Sequence, residues 1–423
     1  MNSFATSVRT LASGTASAQV LTLLAAPIMA RIYTPQEYGA FALWSMVVVV
    51  FALIGGGKYD AAILIPPDEV SARALVYLSL CTTLASAFLL VLAALWGGGA
   101  LAASMGVPEL TPWIPLLAPV ILSANLTLSL GAWTNRHQAY NRLAVCRVIQ
   151  AVVQVAMNIG LAGFGVLGLI TGILVGQCVG TGVLEWCFWR RDHLGDPRVA
   201  WSDLRRVASA YVAFPKYTLG ADLLNHLSNQ WVTLILPKFF GVPVLGGYSL
   251  GQRVIAVPSN VVGTAIGDVF RSRASRDFET DGNCQKTYRQ TVSYLVLAGA
   301  VPFGALMVAA PALFAWVFGE SWRAAGEITR VMALMNFVRF VASPLAFTFF
   351  LAGRQYEDLV LQGWIVVSSP IVLWLGYRYS GEVTTTLLCF SVNYSVVYLV
   401  YLWRSAAHSK GDAKRTAAWN GRR

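Results

Sequence analysis

Apolar residues along this chain come in blocks separated by short polar or basic segments, and each block approaches the roughly 20 residues that a helix needs to cross a bilayer core. The blocks fall at about 11–30, 38–57, 74–96, 112–133, 148–164, 167–188, 216–236, 244–265, 290–318, 330–351, 359–376 and 384–403. The pattern predicts an all-α, polytopic membrane protein of about 12 transmembrane helices. The apolar run 148–188 is too long for one crossing and is divided at Gly163-Phe164-Gly165, where two glycines favour a turn. The block 216–236 is the weakest, because Asp222, Asn225, His226, Asn229 and Gln230 would each be penalised in hydrocarbon.

Composition narrows the class. Of 423 residues 56% are hydrophobic and 12% charged, against about 25% charged in a typical soluble protein. Twelve crossings leave no room for a large soluble domain. The six cysteines form no CxxC pair and the four histidines no metal-binding motif, so neither a metal nor another cofactor is expected. The first block is too long for a signal peptide, and its removal would break the charge alternation described next, so it is expected to stay as a helix.

The net charge of +11 acquires a meaning from its placement. With the N-terminus inside, 24 Lys and Arg fall in inner segments and 5 in outer ones. This asymmetry predicts that both termini are cytoplasmic. It also explains the basic balance as an orientation signal with some attraction to anionic lipid heads, so no nucleic-acid partner is expected.

A shift of 207 residues sets Arg31, Tyr33, Gly39, Phe41 and Leu43 against Lys238, Phe240, Gly246, Tyr248 and Leu250. Asn135-Arg136-His137-Gln138 at the end of the fourth block resembles Gly353-Arg354-Gln355-Tyr356 at the end of the tenth. An offset of six crossings implies two parallel repeats around a central cavity. The expected organisation is an N-terminal six-helix lobe (1–195), a cytoplasmic linker (196–204), a C-terminal six-helix lobe (205–404) and a basic cytoplasmic tail (405–423).

Charged residues at membrane depth mark a lumen or a protein contact. Arg253 and Arg339 lie about nine residues into the eighth and tenth blocks, and Asp222 and His226 lie within the seventh. Thr218, Asp222, Asn225, Asn229 and Thr233 follow the helical period, as do Asn336, Arg339 and Ser343. Gln19 on the first block aligns with His226, and Arg147, Gln150, Gln154 and Asn158 form another stripe on the fifth. Together the stripes predict a wet central path. Arg253 and Arg339 either grip an anionic substrate through the guanidinium fork or include a partner for Asp222. Asp222 and His226 are either a protonation couple or a helix contact. Lys58, just inside the second block, is either a lipid-headgroup contact at the inner mouth or one half of a boundary ion pair. Gly168, Gly172, Gly176 and Gly180 form a ladder suited to close helix packing. Pro112, Pro115 and Pro119 are expected to kink the start of the fourth helix.

Three stretches carry a resemblance: Leu11-Ala-Ser-Gly14-Thr-Ala-Ser-Ala-Gln19, then Pro27-Ile-Met-Ala-Arg31-Ile-Tyr33-Thr-Pro35-Gln-Glu37-Tyr38-Gly39, then Lys58-Tyr59-Asp60-Ala-Ala-Ile-Leu-Ile-Pro66. The chain resembles bacterial polysaccharide or O-antigen repeat-unit flippases (Wzx type) of the multidrug/oligosaccharidyl-lipid/polysaccharide exporter superfamily. The match is strongest over the first 75 residues. The resemblance implies a non-enzymatic flippase in the bacterial inner membrane, carrying an undecaprenyl-diphosphate-linked oligosaccharide by alternating access. Membrane lipids and polysaccharide polymerase machinery are the partners it implies. Arg253 and Arg339 agree with its cationic lumen, while the N-terminal lobe has no comparable charge. The alternatives are a cation-coupled multidrug exporter of the same superfamily, which should carry acidic lumen residues, and a membrane glycan polymerase or transferase. The latter needs a sizeable outer loop with acidic motifs, whereas the loop at 97–111 has only Glu109.

Overall fold

Hydrophobic length decides the architecture. A peptide group in lipid has no water to bond with, so a spanning chain must satisfy its backbone internally, and every regular element among the described residues is helical. The computed structural model describes residues 2–104, 106–192, 199–220, 222–223, 226 and 230–411, with side chains of the first helix from residue 17 onward. Asn225 and Asn229, residues 196–198 of the expected linker and residues 412–423 of the expected basic tail lie outside the described residues.

The chain divides into two compact units, Met1–Leu245 and Gly246–Arg423. The first holds α1 (Asn2–Ile32), α2 (Pro35–Gly55), α3 (Glu69–Ser104), α4 (Leu117–Arg136), α5 (Tyr140–Gly160), α6 (Val166–Cys187), α7 (Trp201–Ala210) and α8 (Trp231–Phe240). The division falls inside α9 (Val242–Pro258), and the second unit continues with α10 (Thr264–Asp281), α11 (Gln285–Phe318), α12 (Arg323–Leu345), α13 (Gln355–Ser380) and α14 (Val383–His408). Among the described residues nine helical segments are long and apolar enough to cross a membrane, with the shorter apolar helices Ser17–Ile32 and Trp231–Phe240 beside them. The 17-residue α9 lies at the place of the eighth apolar block. On α11, Leu297, Val301 and Val308 are 73%, 77% and 82% exposed, the face a membrane helix turns to lipid.

Local chemistry sets the helix ends. Thr34 Oγ1 accepts the Glu37 N–H, and the Glu37 carboxylate accepts the Thr34 N–H at 2.7 Å. With Pro35 in the first turn, this capping box starts α2. The long apolar run breaks where expected: a 3-10 turn at Ala162–Phe164 leads into Gly165, whose φ of +59° suits glycine. The prolines before α4 form a 3-10 segment, Pro108–Leu116, rather than a kink within it.

The seventh block departs most from a plain crossing. It contains a π-turn at Phe214–Thr218 and the ten-residue α8, which at 1.5 Å per residue spans only about 15 Å. In the first unit α8 packs on α2, α1 packs along α5, and α5 packs along α6. Gly39 of α2 meets the Val242 backbone so closely that a Cβ would lie 2.0 Å from its carbonyl oxygen. The glycine ladder of α6 faces α5: a Cβ on Gly176 would stand 2.9 Å from Gln150 O, and one on Gly180 3.2 Å from Cys146 O. Gln150, Gln154 and Asn158 therefore contribute to a packed seam, where the Asn158 amide donates to Gln154 O at 3.2 Å and Gly168 O at 3.1 Å. This corrects the expectation that the stripe lines a wet path. A polar side chain opposite glycine can satisfy itself on backbone that comes unusually near.

The second unit is tied at one end by polar contacts. Arg404 binds Glu357 through Nε at 2.9 Å and Nη2 at 2.8 Å, and His408 Nε2 lies 2.9 Å from the same carboxylate. Cys284 N donates to Ser409 O at 2.8 Å, which fastens the α10–α11 turn to the residues after α14.

Candidate functional site

Within the second unit, α9, α10 and α12 enclose a cavity of about 340 Å³. Its polar lining includes Gln252, Asn260, Thr264, Arg271, Asn336 and Arg339. Helical spacing explains the convergence. Asn336, Arg339 and Ser343 lie on one face of α12, and Asn260, Thr264, Gly267 and Arg271 recur at the same period through the π-turn Ser259–Gly263 into α10. Small residues on this face leave the space open, and a Cβ on Gly267 would already stand 3.2 Å from Pro344.

Arg339 is exposed where it lines the cavity. The phenols of Tyr248, Tyr394 and Tyr398 lie within electrostatic range of its guanidinium. Two of them belong to a ring series on α14, with centroids 5.2 Å apart from Phe390 to Tyr394 and 5.4 Å from Tyr394 to Tyr398. This series restricts Arg339 on one side while the cavity leaves it open on the other. Arg271 is half exposed and ion-paired with Asp268, one turn back on α10. Asn336 is 7% exposed and donates to Met332 O at 2.9 Å. The resulting cavity carries two guanidinium groups and several neutral hydrogen-bonding groups, a set suited to a multivalent anion with polar substituents.

The other candidates fall elsewhere. Arg253 is exposed on α9 and is not among the cavity-lining residues. Asp222 is in the first unit, where its carboxylate meets Lys58 Nζ at 2.8 Å. Lys58 thus has a protein partner, and it occupies the left-handed region with φ +59° directly after Gly57 at φ +57°. His226 is half-buried and Gln19 is exposed on α1. Arg271 escaped the sequence reading, since hydropathy ends the eighth block near residue 265 and consigns Arg271 to a cytoplasmic loop. The signal that could have found it is the periodic series Asn260, Thr264, Gly267, Arg271 continuing beyond the apolar limit.

The family model described as "Polysaccharide biosynthesis protein" matches residues 28–327. Among curated relatives, the succinoglycan biosynthesis transport protein ExoT of Rhizobium meliloti is 27% identical over 320 residues, 74% of this chain and 62% of that protein. The lipopolysaccharide biosynthesis protein WzxC of Escherichia coli is 23% identical over 289 residues, 66% of this chain and 56% of its own length. The chain thus spans a little under two thirds of the first of these relatives. The lipid II flippase MurJ, in an inward closed conformation, superposes with a TM-score of 0.73 at 11% identity, covering 94% of this chain and 87% of that one. An inward-facing multidrug resistance MATE family transporter gives 0.70 at 16% identity, covering 92% and 95%. These likenesses show that the chain shares the fold of those two proteins.

Proposed function

For a chain that belongs to the polysaccharide biosynthesis protein family, we propose that it is a flippase for an undecaprenyl-diphosphate-linked oligosaccharide in the bacterial inner membrane. The observation that carries this reading is the cavity of the second unit, lined by Arg271 of α10 and Arg339 of α12 together with neutral amides and hydroxyls. Guanidinium remains charged at any physiological pH and its fork matches phosphate oxygens. The diphosphate would engage the two arginines, the first sugars the amides, and the prenyl tail would stay in lipid. The six-helix lobes expected at 1–195 and 205–404 would rock about this site, with both termini in the cytoplasm, and no bond would be made or broken. Arg253 belongs to this proposal as a second-rank contact on the exposed face of α9. A cation-coupled drug exporter shares the fold, but the cationic wall disfavours cationic drugs.

Binding can be read directly. Purified protein in detergent should bind a short-chain polyprenyl diphosphate well above the matching polyprenol, and the Arg271→Ala, Arg339→Ala double variant should lose at least tenfold, the equivalent of about 1.4 kcal/mol. Undiminished binding by a well-folded double variant would exclude the cavity as the diphosphate site.

A further inference from the structure

Val207 of α7 belongs to a buried apolar cluster with Leu75 near the start of α3, Trp133 near the end of α4, Leu143 near the start of α5 and Leu184 near the end of α6. Consecutive crossings alternate in direction, so starts and ends that meet in this way mark one surface of the membrane. The charge bias predicts that this surface is the cytoplasmic one. Leu204 and Tyr211 pack against the same cluster, and α7 lies along α3. One face of α7 is thereby held at the level of the lipid headgroups.

The other face is open among the described residues. Trp201, Arg205, Val212 and Lys216 follow the helical period through α7 and the turn after it. Trp201, Val212 and the adjoining Tyr217 are 66%, 53% and 64% exposed. Each cation stands over a ring: the Arg205 guanidinium is 5.8 Å from the Trp201 centroid and Lys216 Nζ is 5.1 Å from that of Tyr217. The acidic group of this segment is engaged elsewhere. Asp203, the one acidic residue in 199–220, accepts the Ala200 N–H at 3.0 Å and pairs with Arg206 at 3.0 Å. Among the described residues neither Arg205 nor Lys216 has a carboxylate partner. Such a face suits neither bulk water, which disfavours the exposed rings, nor hydrocarbon, which disfavours the cations. The headgroup layer takes both, since Trp and Tyr collect at the interface and an anionic surface attracts Lys and Arg. Trp186 and Trp189 at the end of α6 are exposed as well, and the Trp189 ring lies 6.3 Å from that of Tyr77 on α3, so an aromatic belt marks the same level.

We propose that Trp201, Arg205, Val212, Lys216 and Tyr217 form a binding surface for the headgroup of an anionic phospholipid in the cytoplasmic leaflet. Arg205 and Lys216 supply the charge, and the rings and Val212 meet the glycerol and the upper acyl chain. A zwitterionic lipid brings its own ammonium to the two cations and gains less from them. A lipid held here fixes the segment from which the chain enters the seventh crossing. The surface requires only that the chain lie in a membrane and does not depend on the flippase reading.

The test places a single cysteine, Ser209→Cys, beside this face in the full chain with its six native cysteines replaced, and labels it with the fluorophore NBD. Ser209 is exposed. The labelled protein is reconstituted in vesicles of equal parts phosphatidylcholine and phosphatidylglycerol, with an acyl-chain nitroxide carried by one lipid or by the other at the same mole fraction. Nitroxide on phosphatidylglycerol should quench about twofold more than nitroxide on phosphatidylcholine. In the Arg205→Gln, Lys216→Gln double variant the two should quench equally. Should that variant fail to fold, about 1 M NaCl, where the Debye length is about 3 Å, should remove the excess from the protein that retains both cations. Equal quenching by the two lipids at low salt would overturn the proposal, as would an excess that survives in the folded double variant or at high salt. Quenching by neither lipid would show that the face is turned to water. Loss of the excess on adding millimolar glycerol phosphate at constant ionic strength would assign the cations to a free phosphate, and either result would exclude the lipid site.

Discussion

Arg271 and Arg339 differ in how tightly the protein already holds them, and the difference has a measurable consequence. Arg271 reaches the cavity but pairs with Asp268 on its own helix, both side chains being at least half exposed. An exposed pair contributes about 0.2–1 kcal/mol, so a diphosphate taking Arg271 from Asp268 forfeits about that much. Asp268→Asn should therefore tighten polyprenyl diphosphate binding by up to about fivefold, as measured by titration. Unchanged or weaker affinity would place Arg271 outside the contact. Arg339 faces phenols rather than a carboxylate, and Arg339→Lys should recover only part of the binding lost in Arg339→Ala, because a point charge lacks the fork. Arg339 and Asn336 were legible as members of a polar stripe inside an apolar block. Arg271 was not, since hydropathy reports where lipid ends and is silent about a helix that continues past it with a cavity on one face. The partner of Asp222 was equally illegible: Lys58 lies 164 positions away in sequence, and no periodicity links two residues across such a separation.

At the scale of elements, the glycine ladder shows what spacing can and cannot say. Four glycines at i, i+4 intervals identify a helix face that something approaches closely, and α5 is what approaches. Gln150, Gln154 and Asn158 are polar at the same spacing, and their sequence alone cannot distinguish a lumen from a seam, because both demand polar groups hidden from lipid. Gly172→Leu or Gly176→Leu should lower the folded yield sharply, since the new side chain would collide with the Asn158 amide or with Gln150 and Gln154. Overpacking of this kind commonly costs about 1–3 kcal/mol, and size-exclusion recovery from detergent extracts would measure it. Gly182→Leu on the same helix, where nothing lies within 4 Å of the Cβ position, serves as the tolerated control. The seventh block stood out in the sequence, because its polar residues set it apart from every other block. The π-turn at Phe214–Thr218 and the ten-residue α8 are details that hydropathy does not encode.

For the whole molecule the decisive quantity is orientation, because it determines which side of the membrane each end of the cavity faces. The Lys and Arg asymmetry, 24 against 5, leads to the expectation that both termini are cytoplasmic, which holds only if the chain crosses an even number of times. Loss of any one crossing would reverse every loop after it, so topology tests the crossing count as well. The weakest crossing is the seventh, and α7 before it and the α10–α11 turn after it bracket that crossing and the next. In a chain whose six native cysteines have been replaced, a single cysteine at Glu382, exposed before α14, should react with a membrane-impermeant maleimide in spheroplasts. Cysteines at Ser202 and Asp281, both exposed, should react only after the membrane is permeabilised. Were Ser202 and Glu382 both labelled from outside, an odd number of helices would not separate them, and the seventh segment would have to be a re-entrant element rather than a crossing. The crossings between α9 and Glu382 would keep their direction while everything before the seventh segment, the N-terminus included, would be reversed, and the two lobes could not be the parallel repeats that the flippase reading requires.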